Sequence, residues 1–467
     1  MLDYKLKIGL VPERRWLADA ATRKGIFAPK YAVENKNRIV SYIKDNFTDE
    51  ATCFTDLEWL NEEGLLSENG DCEKVRDYLK NEKVDAIFII NCNFGNEEAA
   101  GQLAKMMGLP TLLWGPQDTS FEPDGMRFTD AQCGLFAISK QLQRLNVPFS
   151  YIENCPVEDD RFKNGLEKFL SVVTMVKNFN GLKVTQVGTR LNPFKSVMYN
   201  ELELTEKFGI NLQTVNMAVV TKKFEEIYAS RKDELKKDMV SLKEKYDTSA
   251  LNDETILKML AFVHVYIEII NETGSDVLSS ECWTSMPLAV GANPCLAMSI
   301  LYDMGYIVTC ESDIYGAVTQ ALLMCASRGK KAPLFGEFTC KHPTNKNAEL
   351  LWHCGPFPYS VKADGEKAKL FNTKPSFRAK DGEYTISRFQ SAKGKYTLLG
   401  GNFNTTEGPY TFGTYMWAEF KDLSKIENKL IYGPYIHHMS EIYGNFKDEL
   451  EEFTRYIPEL EFDSLED

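Results

Sequence analysis

Apolar runs alternate with helical patterns along the first part of the chain. Lys7–Val11, Val84–Ile90 and Pro110–Trp114 are short, nearly continuous apolar runs, which are typical of strands buried on both faces. Between them, Tyr31–Asn46 and Asn96–Met107 carry apolar residues at helical spacing. The alternation of strand and helix predicts a doubly wound α/β layer with a parallel sheet.

A second series of the same kind begins near Gly181. Its helices include Asn200–Phe208, which ends at Gly209 as a natural cap, and Lys222–Tyr246, predicted as one long helix with an apolar stripe. Two more helices are predicted over residues 253–271 and 294–305. The predicted strands of this series are 183–187, 210–215, 276–280 and 306–310.

The pattern changes beyond about Lys331, where β-rich alternating runs replace the helices. Tyr384–Phe389 and Tyr396–Leu399 are predicted strands, with turns at Asp381-Gly382 and Gly400-Gly401 and one closing helix over Asn445–Tyr456. We therefore predict an α/β protein built from three domains. They are an N-terminal doubly wound α/β domain (residues 1–176), a central doubly wound α/β domain (177–332) and a C-terminal antiparallel β-rich, barrel-like domain (333–467).

Composition narrows the classes of function. The 467 residues are 43% hydrophobic, and the net charge of −13 argues against a nucleic-acid partner or an anionic membrane surface. The longest nearly apolar run, residues 259–270, is too short to span a bilayer, and no signal peptide is visible. Eleven cysteines without a Cys-x-x-Cys pair indicate reduced thiols in a cytoplasmic protein, and they support neither a zinc nor a disulfide framework.

Three carboxylates and three of the five histidines fall in a few short segments. Glu311 and Asp313 follow the predicted strand 306–310, and Glu337, His353 and the His437-His438 pair come from later segments. In an extended chain Glu311 and Asp313 would point the same way. Oxygen and nitrogen ligands suit a divalent ion such as Mn²⁺, and widely separated ligands are typical of a catalytic metal site. Taken singly, each motif also fits a polar strand end, a core histidine or a surface pair.

The same motifs resemble the L-fucose/L-arabinose isomerase superfamily. The resemblance covers most of the chain in the same order, and it implies two α/β domains followed by a β-rich domain. It also implies reversible aldose–ketose isomerisation with a divalent metal, usually Mn²⁺, in a homo-oligomer (trimer, tetramer or hexamer). The segments that carry it are 94–100, 133–135, 294–297, 305–313, 351–355 and 437–444.

The resemblance assigns roles to individual residues. Glu311 and Glu337 match the carboxylates of the arabinose branch and form the expected acid/base pair, with one or both also touching the metal. Asp313 matches the carboxylate used by the fucose branch, as a catalytic or metal-binding group. His353 and His438, or His437 in its place, complete the expected metal shell.

Three further residues are candidates for holding a small-molecule sugar. Trp352 and Trp283 offer faces on which a sugar ring can stack, although core packing explains either equally well. Arg190 could bind an anionic group, as could Arg14 and Arg15, with a structural role as the alternative.

The identity of the sugar stays open at this stage. Ser285 stands where the fucose branch carries a glutamate after its Cys-x-Pro stretch, and Glu281 lies on the other side of Cys282. The expected substrate is therefore a pentose or a hexose, and a modified, anionic sugar is one of the alternatives. Two alternatives remain: a non-catalytic sugar-binding protein on the same scaffold, and a metal-dependent hydrolase or lyase.

Overall fold

A computed structural model describes residues 1–17, 28–121, 123–365 and 367–466. The chain forms two compact units. The smaller comprises Asp3–Lys177 and Arg455–Ile457, and the larger comprises Met1–Leu2, Asn178–Thr454 and Pro458–Asp467. The central α/β segment and the β-rich segment thus pack into one unit, and the boundary predicted between residues 332 and 333 stays a prediction.

The smaller unit is built around a five-stranded parallel sheet. Its elements are β1 (Leu6–Glu13), α1 (Pro29–Phe47), β2 (Thr52–Thr55), α2 (Cys72–Asn81), β3 (Ala86–Asn91), α3 (Glu97–Met107), β4 (Thr111–Trp114), α4 (Ala131–Arg144), β5 (Ser150–Tyr151) and α5 (Asp160–Phe179). The strand order is β2-β1-β3-β4-β5. Ile8 and Phe88 face a core formed with α1 and α5, whereas Ile87 and Leu113 face a core formed with α2, α3 and α4. The sheet is covered on both faces, as a doubly wound fold requires.

The larger unit begins with a four-stranded parallel sheet in the order β10-β9-β6-β7. Its elements are β6 (Lys183–Val187), α6 (Glu201–Phe208), β7 (Asn211–Val215), α7 (Met217–Ser230), α8 (Lys232–Lys245), β8 (Tyr246–Asp247), α9 (Asp253–Thr273), β9 (Val277–Ser280), α10 (Ser285–Val290), α11 (Cys295–Asp303), β10 (Ile307–Cys310) and α12 (Ile314–Ala326). Val187, Ser280 and Cys310 lie side by side where their strands end. The loops that follow these three strands therefore share one edge of the sheet.

The single helix predicted over Lys222–Tyr246 is wrong. The segment forms α7 and α8, which meet at Arg231, where the backbone leaves helical geometry with φ −109° and ψ 25°. Arg231 ends one helix and begins the next, and its guanidinium pairs with Glu268 on α9. Val240, placed on the predicted apolar stripe, is 61% exposed. Packing of α7 and α8 against α9 thus breaks the segment into two helices, although its apolar spacing predicts one.

The rest of the larger unit is a closed antiparallel barrel with additional strands. Its elements are β11 (Leu334–Lys341), β12 (Ala348–His353), β13 (Ala368–Phe371), β14 (Lys374–Arg378), β15 (Glu383–Ala392), β16 (Lys395–Thr406), β17 (Thr414–Glu419), α13 (Leu423–Tyr432), β18 (His438–Tyr443), α14 (Lys447–Thr454) and β19 (Leu460–Ser464). The strands β16-β15-β18-β11-β12-β17 pair antiparallel in turn, and β17 pairs back to β16. The predicted fold class, with α/β sheets followed by a barrel-like β domain, is confirmed.

Two helices of the larger unit have no counterpart among the predicted elements. The α12 helix is buried along its whole length, so it lacks the polar face that marks a helix in sequence. The closing helix predicted over Asn445–Tyr456 is present as α14, and α13 is a second helix in this part of the chain. No helix within the described ranges combines the length and the apolar character needed to cross a membrane.

The turn predicted at Gly400-Gly401 is also wrong, because both residues lie inside β16. The hairpin loop between β15 and β16 instead falls at Lys393-Gly394. A Cβ atom at Gly400 would lie 2.6 Å from the ring of Phe462, and one at Gly401 would lie 2.5 Å from Leu465. The glycines are therefore needed for close approach of β19, and not for a reversal of the chain.

We expect the substitution Gly400→Val to lower the free energy of unfolding by about 1–3 kcal/mol, because the new side chain overpacks against Phe462. Valine has the higher β propensity, so propensity alone predicts the opposite sign. Asn404→Val, at an exposed position of the same strand, is the matched control and should change stability little. Denaturant unfolding of the three proteins tests this, and a stabilised Gly400→Val protein would contradict the packing argument.

Candidate active site

Three loops that follow parallel strands form one face of the candidate site. Thr189 and Arg190 follow β6, Glu281 follows β9, and Glu311 follows β10. The carboxyl ends of parallel strands in an open α/β sheet commonly form a ligand-binding crevice. Ser312 ties these loops together: its N–H donates to the carbonyl of Ser280 at 3.1 Å, and its hydroxyl donates to the carbonyl of Thr189 at 3.2 Å.

The extended geometry expected for Glu311 and Asp313 is wrong. Glu311 has φ 65° and Ser312 has φ 55°, so the chain turns through two left-handed residues before α12 begins. Asp313 then caps the helix, accepting the N–H of Gly316 at 2.9 Å. The two carboxylates consequently approach His438 from different sides, Asp313 at Nδ1 and Glu311 at Nε2.

Asp313 is at the centre of a buried ion-pair network. Arg388, on β15, donates to both of its oxygens at 2.6 and 3.1 Å, and His438 lies with Nδ1 2.9 Å from Oδ2. Together with Gly316, these donors use the acceptor positions of the carboxylate. When His438 donates its Nδ1–H to Asp313, Nε2 is the nitrogen that can bind an ion. Metal-binding histidines commonly have a carboxylate on the other ring nitrogen in this way. The metal-ligand role predicted for Asp313 stays a prediction, and the contacts favour an orienting role.

The barrel contributes the opposite side of the cluster. Glu337 on β11 lies directly across from His438 on β18, so their side chains share one face of the sheet. Glu337 Oε2 is 3.5 Å from His437 Nε2 and 3.8 Å from His438 Nε2, and Glu311 Oε2 is 3.1 Å from the latter atom. Glu311, Glu337 and both members of the His437-His438 pair are therefore brought together.

Two sets of possible ligand atoms overlap at His438. Glu311, His353 and His438 each offer one atom within 4.8 Å of the others, and so do Glu337, His437 and His438. Among the described residues, the buried Nε2 atom of His353 finds no hydrogen-bond partner, and that of His438 has only the ion-pair contact with Glu311 and the longer approach of Glu337. Buried polar atoms are rarely left unpaired. Carboxylates beside imidazole nitrogens fit a divalent cation such as Mn²⁺.

His438 is better prepared than His353 to bind a cation. Nδ1 of His353 accepts the N–H of Cys354 at 2.9 Å, so a neutral ring carries its proton on Nε2. In His438 the nitrogen that faces Glu311 is the one that Asp313 leaves available. A cation at this position would be held first by Glu311 and His438, with Glu337 3.8 Å from the same nitrogen.

The surroundings separate the pKa values of the two carboxylates. Burial, reinforced by the charge of Glu311, raises the pKa of Glu337 to about 7, although His438 opposes the shift. Burial also acts to raise the pKa of Glu311, but the neighbouring histidines, His438 foremost, bring it below its ordinary value. Two carboxyl groups with different pKa values are typical of an acid/base site.

The histidines show a similar contrast. Burial alone would lower the pKa of His438, but Asp313 and Glu311 raise it to about 9. Burial and the adjacent His438 lower the pKa of His437 to about 4. His438 therefore holds a proton at neutral pH, and a cation at Nε2 must replace that proton.

The predicted sugar-binding residues lie in different surroundings. Trp283 is 44% exposed in the loop after β9. Trp352 stacks parallel to His353 with ring centroids 6.3 Å apart, and its indole N–H donates to the carbonyl of Phe412. Arg190 donates through Nη1 to the carbonyls of Leu191 and Asn192. The substrate-binding roles of all three stay predictions.

Arg14 and Arg15 belong to the smaller unit. Arg14 is buried and its Nε donates to Glu63 at 2.5 Å. The guanidinium of Arg15 lies 4.3 Å from the centroid of the Phe94 ring.

Ser285, the point of departure from the fucose branch, is paired with Glu281. The Ser285 hydroxyl and N–H donate to Oε1 of Glu281 at 2.5 and 3.1 Å, and the N–H of Thr189 donates to Oε2 at 3.3 Å. Burial acts to raise the pKa of Glu281, but these donors lower it overall. Glu281 thus stays ionised and links two of the loops that form the site.

Two residues of the site escaped the sequence reasoning. Arg388 lies within a predicted strand of alternating apolar residues. A charged side chain in the middle of a buried strand is the signal that could have indicated an ion-pair partner. Phe194 packs against both His437 and His438, with centroids 5.5 and 5.3 Å away. Nothing in its local sequence distinguishes it from a core aromatic.

Comparison with known proteins supports the same class of enzyme. Residues 20–180 match the family described as fucose/sulfoquinovose isomerase, N-terminal domain. A sulfoquinovose isomerase from Priestia megaterium (strain ATCC 12872 / QMB1551) is 25% identical over 423 residues, which cover 86% of this chain and 92% of that protein. Another from Alkalicoccus urumqiensis is 23% identical, covering 81% of this chain and 86% of that protein.

A solved structure adds little to this comparison. A periplasmic solute-binding protein from Actinobacillus succinogenes covers 64% of this chain and 82% of its own at 13% identity, and the TM-score of 0.15 is too low to bear on the fold. The sequence relatives confirm the predicted resemblance to the fucose isomerase superfamily. The chain is accordingly an isomerase enzyme.

We expect Asp313→Ala to weaken Mn²⁺ binding roughly 10–100-fold, because His438 loses the carboxylate that orients it. Asp381→Ala is the matched control, since Asp381 pairs with Arg378 at the surface and should leave the affinity unchanged. Isothermal titration calorimetry of the purified proteins measures the effect, after circular dichroism has shown that both variants fold. Unaltered Mn²⁺ affinity in Asp313→Ala would refute the orienting role.

Proposed function

We propose that the chain is an aldose–ketose isomerase that depends on a divalent cation, Mn²⁺ or a similar ion, and moves a proton between C2 and C1 of an anionic sugar. The observation that carries the proposal is the convergence of Glu311, Glu337 and His438, with one buried imidazole nitrogen 3.1 and 3.8 Å from two carboxylate oxygens. Such a site suits deprotonation of a carbon next to a carbonyl, which requires a base and stabilisation of developing oxyanion charge.

The two carboxylates would divide the work. Glu311, with its lowered pKa, remains ionised beside His438 and serves to bind the cation. Glu337, with a pKa of about 7 and 21% side-chain exposure, is the group that can take the C2 proton and return it to C1. A bound cation lowers the pKa of both carboxylates. The roles are therefore assigned from which of the two pKa values is higher, and not from the values themselves.

The cation would supply electrostatic stabilisation of the negative charge that develops on the sugar during proton transfer. The protein's own groups hold the arrangement in place. Asp313 and Arg388 fix the ring of His438, and Phe194 packs against both histidines. His437 is 38% exposed next to Glu337. This is the more open side of the cluster, and we propose that the sugar enters there.

An anionic sugar is the proposed substrate class because the relatives covering most of the chain are named sulfoquinovose isomerases. Sulfoquinovose is a hexose whose sulfonate is charged at every physiological pH, so its binding site needs a cationic side chain or several N–H donors. Arg190, on the strand-end face with Thr189 and Glu281, is the residue we propose for this contact. Assembly into a homo-oligomer and a cytoplasmic location remain part of the proposal.

A panel of aldoses tests the proposed function. The purified chain is loaded with Mn²⁺ and incubated with sulfoquinovose, glucose, fucose and arabinose, with and without EDTA. We expect sulfoquinovose to be converted to its ketose, with deuterium from D₂O entering at C1 or C2, and EDTA to abolish the conversion. Carbon–oxygen or carbon–carbon cleavage without isomerisation would indicate a hydrolase or a lyase. Absence of turnover with every sugar would refute the proposal.

We expect Glu337→Gln to lower kcat roughly 10²–10⁴-fold while the protein still binds Mn²⁺, because the amide cannot accept the C2 proton. In the parent, kcat/KM should rise as pH increases through the pKa of Glu337, at or below about 7, since only the deprotonated carboxylate is a base. This rise should be absent from the residual activity of the variant. Glu349→Gln, on neighbouring β12, is the matched control. An unchanged pH profile in Glu337→Gln would exclude Glu337 as the base.

A further inference from the structure

Three lysines border a cavity of the larger unit that is separate from the candidate active site. The cavity has a volume of about 380 Å³ and lies where α11 and α12 end. Lys330 and Lys331 border it from the loop after α12, and Lys380 borders it from the loop after β14. The ring of Tyr443, at the end of β18, forms part of the wall. We call Lys330, Lys331 and Lys380 the lysine cluster.

Two of these ammonium groups lie next to the same aromatic ring. Lys380 Nζ is 4.2 Å from the centroid of the Tyr443 ring, and Lys331 Nζ is 5.3 Å from it. Lys331 Nζ is also 5.2 Å from the centroid of the Phe446 ring. These distances are within the range of cation–π attraction, which holds the two like charges near each other.

The lysine cluster lacks compensating charge, although the chain has a net charge of −13. Within the described part of the chain, none of the three ammonium groups forms an ion pair. Among the described residues that line the cavity, Asp303 is the only acid. Three positive charges and one negative charge therefore give the wall a net charge of +2. Burial and the charge of Lys380 lower the pKa of Lys331, as expected for a cation without a carboxylate partner.

The end of a helix explains only part of this charge. The α12 helix ends at Ala326, and cations after such an end complement its partial negative charge. Lys330 and Lys331 fit this role by their position. Lys380 comes from a different segment and brings a further positive charge to the Tyr443 ring. An anion bound among the lysines would relieve the repulsion between them.

We propose that the lysine cluster binds the phosphate group of a small sugar phosphate. A phosphate monoester carries a charge of about −1.5 to −2 at neutral pH, which matches the net charge of the wall. Each lysine ammonium offers three N–H donors, and lysine is a common phosphate-binding residue. The volume of about 380 Å³ lies within the range of roughly 300–1,000 Å³ that is typical of small-molecule sites.

Asp303 indicates that the rest of the ligand carries hydroxyl groups. Its Oδ2 accepts the N–H of Ser360 at 3.1 Å, and a carboxylate has further acceptor positions that suit hydroxyl donors. The same negative charge would repel a second phosphate group. A sugar monophosphate therefore fits the wall better than a polyphosphate does.

The lysine cluster is remote from the candidate active site. His438 begins β18 and Tyr443 ends it, which separates the two positions by roughly 17 Å along the strand. The proposed phosphate site consequently shares no residue with the cluster of Glu311, Glu337 and His438. Its occupation needs neither a divalent cation nor isomerase activity.

Isothermal titration calorimetry of the full-length protein tests the proposal, with EDTA present and ionic strength held constant. The probes are glucose 6-phosphate, inorganic phosphate and glucose. We expect glucose 6-phosphate to bind more tightly than either of the other two. Lys331→Gln and Lys380→Gln should each weaken its binding roughly 10–100-fold, because each removes a charged donor. Lys346→Gln, at an exposed lysine outside the cavity, is the matched control and should leave the affinity unchanged.

Asp303→Asn tests the sugar part of the ligand. It should reduce the preference for glucose 6-phosphate over inorganic phosphate, because the charged acceptor for the hydroxyl groups is lost. Equal affinity of the parent for these two probes would overturn the assignment to a sugar phosphate. Binding of glucose 6-phosphate that is undiminished in both Lys331→Gln and Lys380→Gln would place the phosphate elsewhere and overturn the site. Absence of binding to the folded parent at millimolar concentrations would also overturn it, and it would leave the proposed isomerase function untouched.

Discussion

The buried ion pair between Asp313 and Arg388 is the interaction on which the rest of the site depends. It joins the end of a parallel strand, through the cap of α12, to a strand of the barrel. Both side chains are withdrawn from water, and a buried pair is stable only where the remaining donors and acceptors are satisfied. Gly316, Gln390 and His438 satisfy them. The network therefore fixes the positions of the strand-end loop and the barrel relative to each other.

This constraint also explains why the carboxylates beside His438 differ in their chemistry. Asp313 is committed to Arg388 and to the ring of His438, and its pKa is held below its usual range by those charges in spite of its burial. Glu311 shares His438, whereas Glu337 has weaker, longer contacts and a raised pKa. In the function we propose, Asp313 thus orients the ring of His438, Glu311 remains charged and Glu337 exchanges a proton. The division follows from position, because all three are acids of similar intrinsic strength.

Much of the fold was accessible from the sequence because it rests on periodicity. The buried strands 84–90 and 306–310 and the amphipathic helix 31–46 follow directly from apolar spacing. The failures share a cause: tertiary contacts that override a local rule. Gly400 and Gly401 have turn propensity but accommodate β19, Arg231 breaks a helix that periodicity continues, and α12 is too apolar to show a face.

The candidate site was also predictable only in part, for the same physical reason. Motifs indicated Glu311, Glu337, His353 and His438 as candidates, because residue types that bind ions are recognisable one at a time. Their pairwise relations are not recognisable in this way, since the left-handed turn at Glu311 and Ser312 reverses the expected orientation of the two strand-end acids. Arg388 was missed for the corresponding reason, because its partner lies 75 residues away in sequence. Such a network can be predicted only when it is known that the barrel strand and the strand of the parallel sheet are in contact. That contact depends on the fold of the whole unit and not on any local segment.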